Sequence, residues 1–587
     1  MRSIETQLNE LNQKLEIYPK GTITTKTVKG KVYHYHRWSE NGKRKEKYIA
    51  EKDLPYMIEK IKKRKELETK KKDLEIKSKK PWYEFKTNVL LGPQLRDKVE
   101  PVRDLKKREL YQDIHDYIYG DTHEKVLILY GLRRTGKSTL MRQIILNMSD
   151  EDFDKSAWFS VDKMDDLAAI NYDLKLLEIR GFKYIFIDEA TLMEDFIQGA
   201  ALFADVFAEC GMKIVLSGTD SLGFLFAKDE QLYDRCTMLH TTFIPYREFE
   251  KVLDIPSIDR YIQYGGTMCR SGFDYNLTTP FANAVNAEQY TDSAISKNIQ
   301  NSLRFYQYGG HFDPLYELYE RNELTSVINR VVEDINHRFT LEVLTRDFRS
   351  NDLGISKNNL RYETDVFDNI NIFEVTEKLR IALEIRNKKE QSIKLEEGHA
   401  LWIKEYLKLL DLTKEIEIHN LPDVEKLEKR TLITQPGLRY AQAVALIQTL
   451  LNDVAFSSLS KLERFKIQER IMNKIKGRML EDIILLETKN ANSDKNVFIL
   501  RFPTGEFDMV VEDKHDCFCK IFEIKHSDKV VENQYRHLVD EEKLKQTEHR
   551  YGTITDKVVL YRGVKTRVKD IQYVNIEEYL KNKARLR

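Results

Sequence analysis

The sequence predicts a multidomain α/β protein, and three observations support this fold class. The chain has 587 residues, enough for roughly three or four domains. Between residues 105 and 252, apolar strand-like runs alternate with helical patterns, as in a parallel sheet flanked by helices. Near the C terminus, two strand-like runs, 505–511 and 517–524, flank a polar turn. We therefore expect two α/β modules, with a mainly helical region between them.

The composition favours a globular protein in a reducing, cytoplasmic setting. Hydrophobic residues make up 41% and charged residues 33% of the chain. No apolar run approaches the ~20 residues that a membrane span needs, and residues 1–10 are too polar for a signal peptide. We expect no membrane partner. Five cysteines are few for a disulfide framework. Cys517 and Cys519 alternate in a strand-like run, so we interpret them as strand residues rather than metal ligands.

A glycine-containing loop follows the apolar run Val126–Tyr130 and precedes a helical pattern, 140–148. Its sequence, Gly-Leu-Arg-Arg-Thr-Gly-Lys-Ser over residues 131–138, is the phosphate-binding pattern of proteins that hydrolyse ATP or GTP. Backbone N–H groups would surround a phosphate, Lys137 would reach the outer phosphates and Ser138 would bind Mg²⁺. The expected nucleotide-binding residues of this segment are Gly131, Arg134, Thr135, Gly136, Lys137, Ser138 and Thr139.

A second apolar run, 184–187, ends in Asp188 and Glu189. A buried parallel strand would deliver Asp188 beside the loop to hold Mg²⁺, and Glu189 would polarise the attacking water. A further strand, 213–216, ends in Ser217-Gly-Thr219, where Thr219 or Ser217 would contact the terminal phosphate or the water. The extra strand between the two nucleotide motifs predicts the additional-strand class of ATPases.

Arg235 allows three interpretations. It would sense the nucleotide within the chain, or act as an arginine finger on a neighbouring subunit, which would imply a homo-oligomer. A surface salt bridge is the third.

This set of motifs resembles the AAA-type ATPases of bacteria and archaea that carry a C-terminal nuclease-like domain. The resemblance covers residues 105–565 and implies an AAA-type parallel-sheet ATPase, a helical or winged-helix middle and a nuclease-like end. In that middle, periodicity predicts helices over 315–339 and 373–386. The resemblance implies that 356–366 and 399–410, followed by the strand-like 414–418, form a winged-helix unit. The family usually has a shorter middle and lacks a basic N-terminal module. The matching segments are 131–138, 187–189, 216–221, Arg235, 243–249, 264–266 and 432–438.

The N-terminal 80 residues are basic, with 23 Lys and Arg against 12 Asp and Glu. Three strands (22–28, 31–38 and 43–49) are expected, followed by a helix from Leu54 to about Lys80. The pattern resembles the arm-type DNA-binding modules of tyrosine recombinases, over about 45 residues. Tyr33, Tyr35 and Trp38 beside basic residues suit a nucleic-acid surface. The alternatives are a hairpin that packs on the ATPase and a coiled-coil oligomerisation arm.

The C-terminal region carries acids at the ends of apolar strands. Asp508, Glu523 and Lys525 form the spacing D-x14-E-x-K, the active-site pattern of PD-(D/E)xK nucleases. Strand alternation places Glu523 and Lys525 on one face, and a hairpin would bring Asp508 beside them. The carboxylates would hold Mg²⁺, with Mn²⁺ as a substitute, and Lys525 would orient the water or neutralise the transition state. Glu481 fits the helix-borne carboxylate of that family and would be both ligand and catalytic residue. A helix over 532–550 would carry Gln534 and Tyr535 near this site. Surface charge is the alternative interpretation.

The sequence therefore predicts an ATPase coupled to a metal-dependent nuclease that acts on nucleic acid, DNA more than RNA. A role in prokaryotic defence or in a mobile element suits this combination by analogy. The alternatives are an ATP-driven switch or scaffold with a non-catalytic nuclease fold, and a DNA-motor or transposition-type ATPase. The expected domains are a basic module (1–80), a linker (81–104), the ATPase (105–252), a helical or winged-helix region (253–470) and the nuclease-like domain (471–587).

Overall fold

The protein is described by a computed structural model with two compact units, 1–101 and 102–587. The residues that the structure describes are 11, 14–28, 31–40, 43–79, 85–121, 124–162, 164–193, 195–219, 224, 227–228, 231–268, 313–321, 323–349, 378–379, 381, 397–422 and 428–582.

The first unit contains a three-stranded antiparallel sheet of order β1-β2-β3 and a long helix. The strands lie where the alternating pattern predicts them, and β2 is two residues longer than expected. Arg64 on the helix donates hydrogen bonds to the carbonyls of Leu15 and Tyr18, both at 2.5 Å. The elements are β1 (Thr22–Val28), β2 (Lys31–Glu40), β3 (Lys43–Ile49), α1 (Leu54–Lys79), β4 (Val89–Leu90) and α2 (Gly92–Val99).

The aromatic residues of β2 lie on both faces of this sheet. The cross-strand pairing of Tyr35 with Tyr48 puts Tyr33, Tyr35 and Tyr48 on one face, with Tyr48 in ring contact with both of the others. Trp38 lies on the other face and stacks on His36 at 4.9 Å. Trp38 and the tyrosines therefore lie on opposite faces of the sheet, since a period of two separates them, and the nucleic-acid surface stays a prediction. The Asn41-Gly42 turn lies outside the described residues.

The second unit contains two sheets with helices on their faces. Its strands are β5 (Val126–Tyr130), β6 (Ser156–Ser160), β7 (Tyr184–Asp188), β8 (Lys213–Gly218), β9 (Cys236–His240), β10 (Thr413–Asn420), β11 (Glu428–Ile433), β12 (Asn496–Arg501), β13 (Glu506–Asp513), β14 (Phe518–Ile524), β15 (Thr553–Tyr561), β16 (Thr566–Val568) and β17 (Ile571–Asn575).

Its α-helices among the described residues are α3 (Leu110–Tyr119), α4 (Lys137–Leu146), α5 (Asp150–Asp154), α6 (Leu167–Ile179), α7 (Phe196–Gly199), α8 (Tyr246–Leu253), α9 (Ile258–Tyr264), α10 (Asp313–Glu320), α11 (Leu324–Arg349), α12 (Glu397–Leu409), α13 (Pro436–Leu451), α14 (Lys461–Ala491), α15 (Glu541–Tyr551) and α16 (Ile576–Lys581). None of the described helices is long and apolar enough to cross a membrane.

The first sheet of this unit is parallel, with the order β6-β7-β8-β5-β9. Strand β8 lies between β5, which leads into the glycine-containing loop, and β7, which ends in Asp188. This is the order expected for the additional-strand class. The central strands are apolar and buried along most of their length, as a parallel sheet covered on both faces requires. Their carboxyl ends meet at one edge of the sheet.

The second sheet has the order β11-β10-β12-β13-β14-β15-β17-β16 and mixes parallel with antiparallel pairs. It begins well before residue 471, because β10 pairs in parallel with β12. The expected boundary at 470/471 falls inside the continuous helix α14 and is therefore wrong. The expected boundary at 252/253 also falls inside a helix, α8, which shares a hydrophobic core with α13 and α14.

The middle region differs from the sequence prediction in two places. The helix expected over 315–339 is two helices, α10 and α11, separated near Arg321. The helix α12 and the hairpin β10–β11 follow the chain order of a winged helix, but their strands belong to the large sheet. The predicted segment 356–366 lies outside the described residues, as does most of the predicted helix 373–386.

Candidate nucleotide-binding loop and C-terminal cleft

The loop after β5 depends on two glycines. Gly131 has a φ of +140°, and a Cβ there would lie 2.5 Å from the carbonyl oxygen of Thr241. Gly136, with a φ of +90°, immediately precedes α4. Any other residue at either position would have a strained backbone. The loop therefore needs glycine at both positions to pack beside the end of β9 and to enter α4. Thr139 lies half-buried in the first turn of α4.

Lys137 is buried and lies across this loop. Its Nζ donates to the carbonyl oxygens of Gly131 at 2.7 Å and Leu132 at 2.8 Å. Burial lowers its pKa to about 8, and the nearby Glu189 and Asp188 oppose that shift. The ammonium group therefore lies inside the curve of the loop, where it could bind a phosphate group.

Asp188 faces the start of α4 from the end of β7. Its Oδ1 accepts hydrogen bonds from Ser138 Oγ at 3.1 Å and Ser217 Oγ at 2.5 Å. A hydroxyl and a carboxylate at this distance are oxygen ligands of the kind that Mg²⁺ takes in phosphate-binding loops. These residues therefore fit the predicted ion. The contact of Ser217 with Asp188, rather than with a phosphate, is not foreseen from the sequence.

Glu189 has a left-handed backbone, with a φ of +58°. Its Oε2 accepts from the backbone N of Thr219 at 3.3 Å and from Thr219 Oγ1 at 3.2 Å. The structure thus brings together the predicted base and the predicted polar residue that follows β8. Asp220 and Ser221 lie outside the described residues.

Arg235 lies just before β9, at the opposite end of the strands from the loop. Its carbonyl accepts from Val126 N, at the start of β5, whereas the loop begins after Tyr130. Its side chain is half-exposed and pairs with Asp205 at 2.7 Å. The expectation of a nucleotide sensor within the chain is therefore wrong, because β5 runs its full length between the two. A role as a finger on a neighbouring subunit stays a prediction.

Arg108 and Thr241, which sequence reasoning missed, support the loop from outside. Arg108 donates to the carbonyl of Thr135 at 2.6 Å and forms a buried ion pair with Glu248 on α8 at 2.5 Å. Thr241 Oγ1 lies 2.8 Å from Thr135 Oγ1. The available signal was Glu248 inside the apolar motif 243–249, because a buried carboxylate needs a cation.

Replacement of Arg108 by Ala should destabilise the protein strongly. Glu248 would remain buried without its cation, which typically costs about 3–5 kcal/mol of unfolding free energy. Thermal unfolding of the purified variant measures this. The control is Lys106→Ala, which removes a neighbouring but exposed pair with Asp254 and should cost less than about 1 kcal/mol. Equal losses in the two variants would contradict the prediction.

The C-terminal cleft has a volume of about 960 Å³ and contains the predicted acidic residues. Antiparallel pairing of β13 with β14 brings Asp508 and Glu523 together. Lys525 Nζ donates to Asp508 Oδ2 at 3.0 Å and to Glu523 Oε2 at 2.7 Å. The Ile524 N–H also donates to Asp508 Oδ2, at 2.8 Å. The structure therefore brings together three of the four residues of the predicted nuclease pattern.

The pKa values of the two acids in this trio are shifted in opposite directions. Burial raises the pKa of Glu523 well above its ordinary value. Burial acts in the same direction on Asp508, but Lys525 and the Ile524 N–H outweigh it and hold this pKa below its ordinary value. Glu523 Oε1 is buried and has no hydrogen-bond partner. An orphaned carboxylate oxygen beside a second carboxylate suits a divalent cation, so these two acids fit the predicted metal.

Glu481 lies on α14 and lines the same cleft, but it is held by Arg478. Arg478 also pairs with Glu342 on α11 at 2.8 Å. Among the described residues, no three His, Cys, Asp or Glu side chains form a group that could hold a metal ion, so an ion held by Asp508 and Glu523 would take its other ligands from water or a phosphate. Glu481 as a metal ligand is thus not supported by this arrangement, because an arginine occupies the carboxylate.

The segment after β14 differs from the predicted single helix over 532–550. A short 3₁₀ helix, Glu532–Tyr535, precedes α15. Gln534 lines the cleft, whereas Tyr535 is buried against Tyr573 in the core of the sheet. Only Gln534 therefore stays near the site, as the polar residue predicted there.

Helix α14 connects the cleft to the segment that supports the nucleotide loop. Glu487, on this helix, accepts a hydrogen bond from the backbone N of Tyr246 at 2.7 Å. Tyr246 begins α8, the helix that also carries Glu248 and so holds Arg108 against Thr135. The loop and α14 are therefore joined through a short series of buried polar contacts.

Replacement of Glu487 by Gln should remove a pH-dependent loss of stability. Burial raises the pKa of Glu487 from 4.5 to about 7, so the folded protein retains a proton that the unfolded chain releases between these values. The free energy of unfolding should fall by about 3 kcal/mol as the pH rises through this window. Gln resembles the protonated acid.

The unfolding midpoints of wild type and Glu487→Gln, taken at pH 5 and at pH 8, test this. We expect equal midpoints at pH 5 and a higher midpoint for the variant at pH 8. Glu469→Gln, at an exposed position of the same helix, is the control. The idea fails if Glu487→Gln changes the midpoint by the same amount at both pH values.

Two family models match this chain. Residues 123–250 match an AAA domain, and residues 1–62 match a domain of unknown function, DUF6788. No curated protein sequence matches the chain.

Three solved structures are distantly similar to this chain, but their TM-scores are too low to support any conclusion about its fold or function. A structure of katanin self-assembly is 12% identical, covering 54% of this chain and 98% of its own, with a TM-score of 0.20. Cdc6p from Pyrobaculum aerophilum is 11% identical (61% and 97% covered, TM-score 0.22). The Aeropyrum pernix ORC1 protein in complex with DNA is 13% identical (62% and 95% covered, TM-score 0.19).

Residues 123–250 are thus an AAA domain, a P-loop ATPase module, and the strand order and loop geometry agree with this. Such a module binds a nucleotide, usually with Mg²⁺. The match to residues 1–62 leaves the resemblance to recombinase arms as a prediction.

Proposed function

We propose that this protein couples ATP hydrolysis in its AAA domain to metal-dependent cleavage of nucleic acid, DNA before RNA, in its C-terminal cleft. The observation that carries the nuclease half is the convergence of Asp508, Glu523 and Lys525 on the cleft floor. The spacing in sequence, the strand pairing and the orphaned Glu523 oxygen all support the same site.

The residues of the ATPase site divide into binding and chemical roles. Lys137 would leave the carbonyls of Gly131 and Leu132 to bind the outer phosphates. Ser138 and Asp188 would hold Mg²⁺. Glu189 would polarise the attacking water, in the orientation that its contact with Thr219 sets.

In the C-terminal cleft, Asp508 and Glu523 would hold the metal ion. When bound, that ion would lower the pKa of a water and stabilise the charge on the phosphate. Lys525 bridges both carboxylates, so its ammonium would turn towards the reacting phosphate, or its water, once the cation neutralises them. The Ile524 N–H keeps Asp508 in place during this exchange.

Coupling between the sites is supported by the contacts of the nucleotide loop. Leu132, in the loop, packs in a hydrophobic core with α10, α11, α12 and α13. The carbonyl of Arg134 accepts from Met268 N at 2.8 Å. If Lys137 turns to a phosphate, these supports would move with the loop. The loop is also linked to α14 through α8, because Arg108 contacts both Thr135 and Glu248. Tyr246, on the same helix as Glu248, contacts Glu487 on α14.

The test is incubation of purified protein with plasmid, linear single- and double-stranded DNA, and RNA. Each substrate receives Mg²⁺ or Mn²⁺, with and without ATP. Cleavage that requires metal and changes with ATP supports the proposal. ATP hydrolysis with every nucleic acid left intact, under all of these conditions, would overturn the nuclease half.

A second candidate is an ATP-driven switch or scaffold whose nuclease fold binds a partner without cutting. The specific observation in its favour is that Arg478 holds Glu481, so the described acids do not form a group of three. This candidate predicts ATP turnover with no metal-dependent cleavage, which the same experiment measures.

A further inference from the structure

We infer that the C-terminal cleft binds one strand of nucleic acid through its phosphates, along a row of cations on α14. This inference rests on the proposed nuclease function and names the substrate form and the residues that hold it. Arg470 and Lys474 line the cleft, four residues apart on α14. That spacing puts them on one side of the helix, about 6 Å apart along its axis, with Glu481 about 10 Å beyond Lys474.

The cations of the cleft fall into two classes. Arg478 and Lys525, near the floor, are paired with carboxylates. Arg470, Lys474 and Arg536 also line the cleft, yet none of them makes an ion pair with any residue that the structure describes. Arg536 instead donates a hydrogen bond to His537 at 3.3 Å. Unpaired cations beside a floor of neutralised acids attract a chain of phosphates.

The depth of the acids favours a single strand over a duplex. Asp508 is 6% exposed and Glu523 is 3% exposed, so a phosphate must enter the cleft to meet them. A volume of about 960 Å³ is at the upper end for a pocket that holds a small ligand. We take this volume to favour one strand, with its phosphates towards α14, over a duplex, whose major groove alone is about 12 Å wide.

The cleft lining also predicts weak sequence preference. No Phe, Tyr or Trp is among the described residues that line it, so it offers bases no large aromatic ring to stack on. Recognition would then depend on phosphates, which are the same in every sequence. Affinity should accordingly fall steeply with salt and change little with base composition.

The test uses the full chain carrying Asp508→Asn, so that bound strands are not cut. Fluorescence anisotropy measures binding of labelled single-stranded DNA, single-stranded RNA and duplex DNA over a range of salt concentrations. We expect Arg470→Ala with Lys474→Ala to weaken single-strand binding and to reduce the slope of log affinity against log salt by about 1.4, or 0.7 per lost phosphate contact. The matched control is Lys461→Ala with Lys545→Ala, which removes the same charge at exposed positions outside the cleft lining.

A second measurement separates the cleft from the basic N-terminal module. A photoreactive single strand is crosslinked to the same protein, and the modified peptides are mapped by mass spectrometry. We expect crosslinks in 470–478 or 525–537, and their loss in the Arg470/Lys474 double variant. Crosslinks confined to the N-terminal 80 residues, or a salt slope equal to that of the control variant, would overturn the inference, as would tighter binding of duplex in the cleft.

Failure of this inference and failure of the nuclease are distinguishable. Metal-dependent cleavage that the Arg470/Lys474 variant performs as well as wild type refutes the cationic row and leaves the nuclease standing. If wild type is crosslinked at α14 but does not cleave, the inference about the cationic row stands. The cleft would then bind nucleic acid without cutting it.

Discussion

Asp508→Asn is expected to reduce metal-dependent cleavage by about a thousandfold while ATP hydrolysis continues. The side chain keeps an oxygen that can accept from the Ile524 N–H, but it loses the charge that would hold the metal and that now meets Lys525. Loss of a metal that supplies several kcal/mol to the transition state corresponds to roughly three powers of ten in rate. Initial rates on a labelled single strand, at saturating Mg²⁺, give the ratio.

The control is Asp513→Asn, near the other end of β13, where the carboxylate is paired with Lys495 at 3.4 Å. It should cut at the wild-type rate. Lys525→Ala is a second test, with an expected loss of cleavage rate of about 10²–10³-fold. Its control is Lys520→Ala, on β14, the strand that Lys525 directly follows. If Asp508→Asn and Asp513→Asn cut equally well, the acids of the cleft are not the catalytic ones.

Lys137→Ala is expected to reduce ATP turnover by at least about a hundredfold, because it removes the ammonium that would neutralise the outer phosphates. Phosphate release measured over a range of ATP concentrations tests this. Glu189→Gln should be equally slow yet still bind ATP, since Gln can accept from Thr219 and cannot act as a base.

The matched control is Lys155, an exposed residue that directly follows α5 and pairs with Glu151 on that helix. Lys155→Ala should turn over ATP as wild type does. Wild-type turnover by Lys137→Ala would refute the assignment of the loop. If Lys137→Ala also changes the rate of nucleic-acid cleavage, in either direction, while folding normally, the two sites are coupled as proposed.

The elements of the nucleotide site could be predicted because their chemistry is local. The glycines and Lys137 are consecutive in sequence, and the strand before them is a short apolar run, so periodicity and turn chemistry suffice. Strand alternation likewise suffices to place Glu523 and Lys525 together, and the β13–β14 hairpin brings Asp508 to them.

What could not be predicted depends on contacts between distant segments. Arg108 meets Glu248 across 140 residues, and Tyr246 meets Glu487 across 241, distances at which a pattern of neighbouring residues says nothing. The same limit explains β10 and β11, which the chain order separates from the large sheet that they join. Glu481 is a different case, because Arg478 lies only three residues before it on the same helix, a spacing that the sequence itself shows. Only the pair of Arg478 with Glu342, 136 residues away, is beyond such a pattern.

Helix α14 has one further consequence, which concerns length rather than composition. Glu481 faces the cleft and Glu487 meets Tyr246, six residues later on the same unbroken helix. Each residue of a helix turns the chain by about 100° and advances it about 1.5 Å. A single insertion or deletion between the two would leave Glu481 and Glu487 themselves unchanged and still turn one of them out of its site. The count of residues between Glu481 and Glu487 is therefore itself a structural requirement, in addition to the burial of the side chains between them.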